Sequence, residues 1–339
     1  MHMKNNTQID TIRELEKKAQ PLDPDGERRR LLLGDVAGYG EDYLESILCA
    51  PAYNVRVDNG HGLLDVPITE GGIGIEKTLR LFQENVATVG INPTSGRFLG
   101  YIPGGGLYYA ALGDYLAALT NRYAGIFYAS PGAVRMENLL LRWMAEMVGY
   151  PDSAGGNLAS GGSIANLTAI VSARDAQSVQ GERIPRSVVY LTKHTHHCIT
   201  KALRVAGLNG CIQRQVPVDS SYRMHAAALE DCIKSDRQDG LLPWLVVSSS
   251  GTTNTGSVDP LGDIGEVSRS NGLWHHVDGA YGAFFALCPE GKQVLKGINH
   301  SDSIVMDPHK TLFLPYGTGA VSVSYTHLTL PTTIKPWGG

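Results

Sequence analysis

Four short apolar runs, each broken off by polar residues, constrain this chain most. They are 187–191 (S-V-V-Y-L), 241–248 (L-L-P-W-L-V-V-S), 273–277 (L-W-H-H-V) and 304–306 (I-V-M). Runs of this length suit buried strands. The segments between them read as helices, among them 202–208 and a stretch from Asp259-Pro260 to about Ser270. Strands alternating with helices predict an α/β fold whose sheet is mostly parallel and covered by helices. Such sheets bind ligands outside the carboxyl ends of their strands. Here those ends carry His196, Thr253, Asp278 and Lys310, which are therefore expected to converge on one edge.

A lysine at that edge is costly unless it is paired or its amine is committed to chemistry. The chemistry that fits is a Schiff base to pyridoxal 5′-phosphate (PLP), and the alternative is a surface lysine after a turn. Upstream, 155–173 places a glycine pair and Ser163 before a strong helical pattern. Ser163 reads as the N-cap, and the free amides of a helix start form an anion site. The segment is neither a Walker loop nor G-x-G-x-x-G, and an ordinary capped helix accounts for it equally well. His194, His196 and His197 raise the question of zinc. Adjacent His196 and His197 point differently and no cysteine or carboxylate sits at a ligand spacing, so no metal is expected. An imidazole face stacked on a flat ring suits this position better. The glycine-rich stretch 96–106 reads either as a connector or as backbone that approaches a ligand closely.

The rest of the chain reads as helices at 12–19, 28–47, 76–86, 107–118 and 137–148. In 28–47 an apolar stripe runs through Leu31, Leu32, Val36, Tyr39, Tyr43 and Ile47. A net charge of −4 argues against a nucleic-acid or membrane-surface partner. The five cysteines are scattered and read as reduced thiols. No apolar run reaches the roughly 18–20 residues of a spanning helix, and the start lacks a signal core, so a cytoplasmic location is expected.

Together the residues resemble the group II PLP-dependent decarboxylases, the family of aromatic amino acid, histidine and glutamate decarboxylases. The resemblance runs from about Leu22 to Val323. It is carried by R-F-L-G-Y-I-P at 97–103, A-S-P at 129–131, S-G-G-S at 160–163, H-T-H-H at 194–197, G-T-T at 251–253, H-V-D-G-A-Y at 276–281 and D-P-H-K at 307–310. It implies a fold type I large domain over 96–323, a helical amino-terminal segment over 1–95, and a homodimer acting on an amino acid. Residue by residue, it implies that Lys310 holds PLP and that Asp278 pairs with the pyridine nitrogen. His196 stacks on the ring, Gly162, Ser163 and His309 hold the phosphate, and Thr253 and Ala280 line the ring. Asp307 stands where many relatives have asparagine, and Tyr101 borders the substrate pocket.

The sequence departs from the family pattern at Ser95-Gly96, where His-Pro is common, and at Gly104, where a bulkier residue is common; both leave the substrate open. A further departure follows Val323. Relatives continue through a mobile loop and a small carboxyl-terminal domain, whereas 325–333 (Y-T-H-L-T-L-P-T-T) reads like translated adapter sequence. The expectation is a non-native tail over 324–339, and a chain that lacks the small domain and is inactive by itself. Two other readings stand: another fold type I PLP enzyme, either a lyase or an aminotransferase, or a PLP-binding fragment without catalysis.

Overall fold

A computed structural model describes residues 2–324 apart from 56–59, 69–70, 103 and 105. Residues 325–339 of the tail expected over 324–339, with Pro103 and Gly105 of the glycine-rich stretch, lie outside the described residues. The chain divides into two units, Met1–Gly100 and Tyr101–Gly339.

The first unit holds α1 (His2–Ala19), α2 (Gly26–Ser46), α3 (Ile75–Phe82) and an antiparallel pair, β1 (Tyr53–Asn54) with β2 (Gly90–Ile91). α2 begins at Asp25, whose carboxylate accepts the Arg28 N–H at 2.8 Å, an ordinary N-cap. It runs on through Gly34, Gly38 and Gly40 despite their low helix propensity. Within its apolar stripe, Tyr39 meets Phe82 edge-on with ring centroids 5.9 Å apart, and the Tyr43 hydroxyl bonds Thr94 at 2.8 Å. No described residue of α2 or α3 is buried.

The second unit opens with α4 (Tyr108–Thr120) and α5 (Pro131–Met147), then β3 (Gly155–Ala159), α6 (Gly162–Ala176), β4 (Ser187–Leu191) and α7 (Cys198–Val205). It continues with β5 (Ile212–Gln215), α8 (Ala226–Gln238), β6 (Leu242–Ser249), α9 (Leu261–Ser270) and β7 (Trp274–Asp278). After α10 (Pro289–Val294) come β8 (Ser303–Met306), α11 (Pro308–Thr311) and β9 (Gly319–Val323). The seven-stranded sheet has the order β3-β9-β8-β7-β6-β4-β5. The pairs from β5 through β8 are parallel, and β9 lies antiparallel between β8 and β3. The mostly parallel α/β sheet is therefore present, and β3, β5 and β9 add to the strands expected from sequence.

Side chains sort onto the two faces with the strand period of two. Val189 and Leu191 pack with Ala165 and Ala169 of α6 and Ile199 of α7. Val188 and Tyr190 instead pack with Leu229 and Ile233 of α8. By the same alternation His276 and Asp278 share one face of β7 and His275 and Val277 the other. Where the chain leaves β6, the buried Asp259 carboxylate accepts the Met224 and Ser249 N–H groups, each at 2.7 Å. Both its oxygens are thereby used, which fixes the course of the strand end that leads to Thr253. No described helix is long and apolar enough to cross a membrane.

Candidate active site

The carboxyl ends of β4, β6, β7 and β8 surround a cavity of about 420 Å³. His196 reaches it from beyond β4, Thr253 from beyond β6, Asp278 and Ala280 from the end of β7, and His309 and Lys310 from α11. Gly162 and Ser163 close another side with the start of α6. These eight residues, separated in sequence, therefore share one wall system. Tyr101 is not among the lining residues; it is 80 % exposed, with backbone φ of 57°.

The helix start differs from the expectation in one respect. Ser163 is not the N-cap: the cap position is Gly161, with φ 140° and no side-chain capping bond. That φ is strained for any residue with a Cβ, so glycine sets the turn, and Ser163 sits inside the first helical turn facing the cavity. The leading amides of a helix have no intrahelical acceptor and carry the positive end of the helix dipole. The site thus offers an anion a place at Gly162 and Ser163.

Lys310 is paired. Its Nζ lies 3.2 Å from Asp307 Oδ2, and His309 Nε2 lies 3.8 Å from the same oxygen. Asp307 is 1 % exposed. Burial raises the Asp307 pKa, and the nearby positive charge of Lys310, then of His309, pulls it back. The Asp307–Lys310 pair was legible only as an i, i+3 spacing in D-P-H-K. His309 is fixed by its Nδ1–H, which donates to the Thr318 carbonyl. Thr311 Oγ1 donates to the Tyr281 carbonyl at 2.8 Å, tying the lysine turn to the loop after β7.

Asp278 is buried at the end of its strand, and its Oδ1 accepts the Ala280 N–H at 3.3 Å. Burial, then the neighbouring His197 charge, lowers the His196 pKa, so its ring is neutral at neutral pH. Its Nδ1 accepts the Cys198 N–H at 3.3 Å, which leaves the proton on Nε2. Cys198 also lines the cavity, but burial followed by the charge of Asp278 pushes its thiol up to about 12, so it is no nucleophile. His194 packs edge-on against Tyr222 with centroids 5.3 Å apart. Among the described residues no group of three or more His, Cys, Asp or Glu is arranged to hold a metal ion. Sequence reasoning missed Asn166, Tyr281 and Tyr316, which also line the cavity. A polar residue one turn into a buried helix is the only signal that pointed to Asn166.

Two glycines bring the helix start against the lysine turn. A Cβ on Gly162 would stand 2.5 Å from Asp307 Oδ2, and one on Gly319 would stand 2.9 Å from Asp307 Oδ1. The carboxylate has no room to retreat. Gly162→Ala should therefore cost about 1–3 kcal/mol through overpacking, read as a lower denaturation midpoint at unchanged slope. An unchanged midpoint would show that the carboxylate moves freely.

The pyridoxal-dependent decarboxylase conserved domain matches residues 75–333. An aromatic-L-amino-acid decarboxylase of Bacillus atrophaeus is 35% identical over 274 residues, which is 79% of this chain and 57% of that protein. A phenylacetaldehyde synthase of Arabidopsis thaliana is 32% identical, over 71% of this chain and 52% of that protein. Among solved structures, Oryza sativa TDC with PLP and tryptamine superposes with a TM-score of 0.83 at 29% identity, covering 91% of this chain and 66% of that one. The chain thus spans little more than half the length of these curated relatives. With three quarters of its residues inside the matched domain, it belongs to the pyridoxal-dependent decarboxylase family.

Proposed function

We propose that this chain carries the cofactor site of an enzyme that removes the carboxyl group of an L-amino acid as CO2, with PLP bound at Lys310. The observation that carries the reading is the gathering of a lysine amine, a buried carboxylate and an open helix start around one cavity. The residues fit the cofactor. Its phosphate suits the first turn of α6, where Gly161 and Gly162 put no side chain in the way and Ser163 and His309 stand beside it. Its pyridine nitrogen suits Asp278, and its aldehyde suits the amine of Lys310.

When bound, the cofactor supplies a cationic ring that takes up the electron pair left as CO2 departs. Asp278 holds the proton on the pyridine nitrogen, because an anion beside a cation favours the charged form. His196, which lines the cavity, would offer a neutral imidazole to the ring and bring no positive charge to compete for Asp278. Asp307 steadies Nζ of Lys310, while Thr253 and Ala280 bound the ring. An aminotransferase would use the same lysine, carboxylate and phosphate site; the family match supports decarboxylation. The names of the relatives favour an aromatic substrate side chain. Tyr101 receives no role in this reading.

The test is CO2 release from a panel of tryptophan, tyrosine, phenylalanine and glutamate. It is run on this chain and on a version continued with the remaining carboxyl-terminal part of a longer relative. We expect release from the continued protein and none after Lys310→Ala. Release that survives Lys310→Ala would overturn the assignment. In the same protein Asp278→Asn should bind PLP yet lose at least about a hundredfold in turnover, roughly 2.7 kcal/mol of barrier. A loss within tenfold would mean that Asp278 is not the pyridine partner.

We propose further that the working enzyme is a cytoplasmic homodimer, with 96–323 as its cofactor-binding domain and 1–95 as a segment that contributes to the dimer. Support comes from α2 and α3, which bury no described residue of their own while Leu31, Val36 and Leu44 stand exposed. Sedimentation of the continued protein should show a dimer that is lost when residues 1–95 are deleted. A stable, active dimer after the deletion would refute the role given to them.

A further inference from the structure

A line of buried polar groups runs from the floor of the cavity into the sheet, and its hydrogen bonds have only one consistent direction. Trp274 Nε1 can only donate, and it donates to Ser303 Oγ at 2.8 Å. Ser303 Oγ also lies 2.8 Å from His276 Nδ1, and a hydroxyl that accepts one bond can still either donate or accept the next, so the direction is set from the other end of the line. His276 Nε2 lies 2.8 Å from Asn166 Oδ1, which can only accept, so Nε2 carries the proton and, on a neutral ring, Nδ1 accepts from Ser303. The orientation of the Asn166 amide is fixed independently, because its Nδ2 lies 2.8 Å from the Gly162 carbonyl, which can only accept. The second Nδ2 proton points to Cys198 Sγ at 3.5 Å. Asn166, His276 and Ser303 are all buried to within 1 % of full enclosure. Burial pushes the His276 imidazole down to about 4, in keeping with a neutral ring.

The two ends of this line are the two halves of the site. Gly162 begins α6, where the anion place lies. His276 stands two residues before Asp278 on the same face of β7, and Ser303 lies on β8, which leads to Asp307 and Lys310. We infer that Asn166 and His276 are positioning residues: they tie the opening turn of α6 to the strands that carry Asp278 and Lys310, and so hold the phosphate place in register with the ring place. This rests on the cofactor site proposed above and adds to it two residues that touch no reacting atom. A neutral, singly directed imidazole suits the task, since a charged one would present a second donor to Ser303 and reverse the line.

The experiment has two readouts. In the unsubstituted chain, ¹⁵N NMR of selectively labelled histidine should show His276 at neutral pH as the neutral Nε2–H tautomer. The Nδ1–H tautomer or an imidazolium would overturn the wiring. In binding titrations, Asn166→Ala and His276→Phe should each weaken PLP at least about tenfold while changing pyridoxal, which lacks the phosphate, by less than about threefold. Because the two residues act along one line, the double variant should lose no more than either single one. His276→Gln keeps a donor and an acceptor and should recover part of the affinity, which guards against misfolding of the phenylalanine variant. Equal losses for PLP and pyridoxal, or losses that multiply in the double variant, would overturn the inference. If instead the cofactor reading fails, the unsubstituted chain binds neither compound, while the tautomer still decides the wiring.

Discussion

The buried carboxylate of Asp307 is the constraint on which the site depends. A charge taken this far out of water has to be matched by what surrounds it, and removing one partner of such a pair typically costs about 3–5 kcal/mol. Its charge partners are Lys310 Nζ at 3.2 Å and His309 Nε2 at 3.8 Å. Its own N–H donates to the Ala280 carbonyl at 3.2 Å, which ties the end of β8 to the turn after β7. The remaining walls are backbone, since Gly162 and Gly319 stand too close to carry a side chain. Four segments distant in sequence are therefore fixed around a single group. Lys310 is placed by that electrostatic demand as much as by its strand.

The parts of the fold that were legible in sequence are those where burial and polarity alternate sharply. β4, β6, β7 and β8 are rich in Val, Ile, Leu and Trp and stop abruptly at polar residues, so both the strands and their functional ends could be read. β3 could not, because G-G-N-L-A looks like a loop. Its Gly156 is there for packing, since a Cβ would stand 2.7 Å from the Val321 carbonyl on neighbouring β9. β5, I-Q-R-Q, lies at the sheet edge with alternate residues exposed, and an edge strand of that composition carries little apolar signal. The misread N-cap has the same origin as β3. Serine is the commoner cap, but the chain needs φ 140° at residue 161, and that preference yields to backbone geometry.

Site residues followed a similar division. Those at strand ends were found because the topology of a parallel sheet says where to look. Tyr101 was carried only by its motif, and no topological rule placed it at the cavity. Asn166 went unnoticed because a helix-interior asparagine is ordinarily solvent-facing or bonded to its own backbone. In the folded chain it does bond its own backbone, at Gly162, and still has an oxygen to offer to another element.

That spare acceptor explains why two adjacent histidines occur in a fully buried strand. Successive residues of β7 face opposite layers, so each imidazole must find partners in a different one. His275 finds Ser248 Oγ at 2.8 Å, and its Nδ1, buried like the rest of the ring, has no hydrogen-bond partner among the described residues. His276 finds Ser303 and Asn166 and uses both nitrogens. Buried polar groups are costly when half satisfied and rigidifying when fully satisfied. The satisfied histidine is the one on the Asp278 face, beside the cavity, and the incompletely satisfied one faces away from it. Rigidity is thus concentrated where a carboxylate and a helix start must keep a fixed spacing.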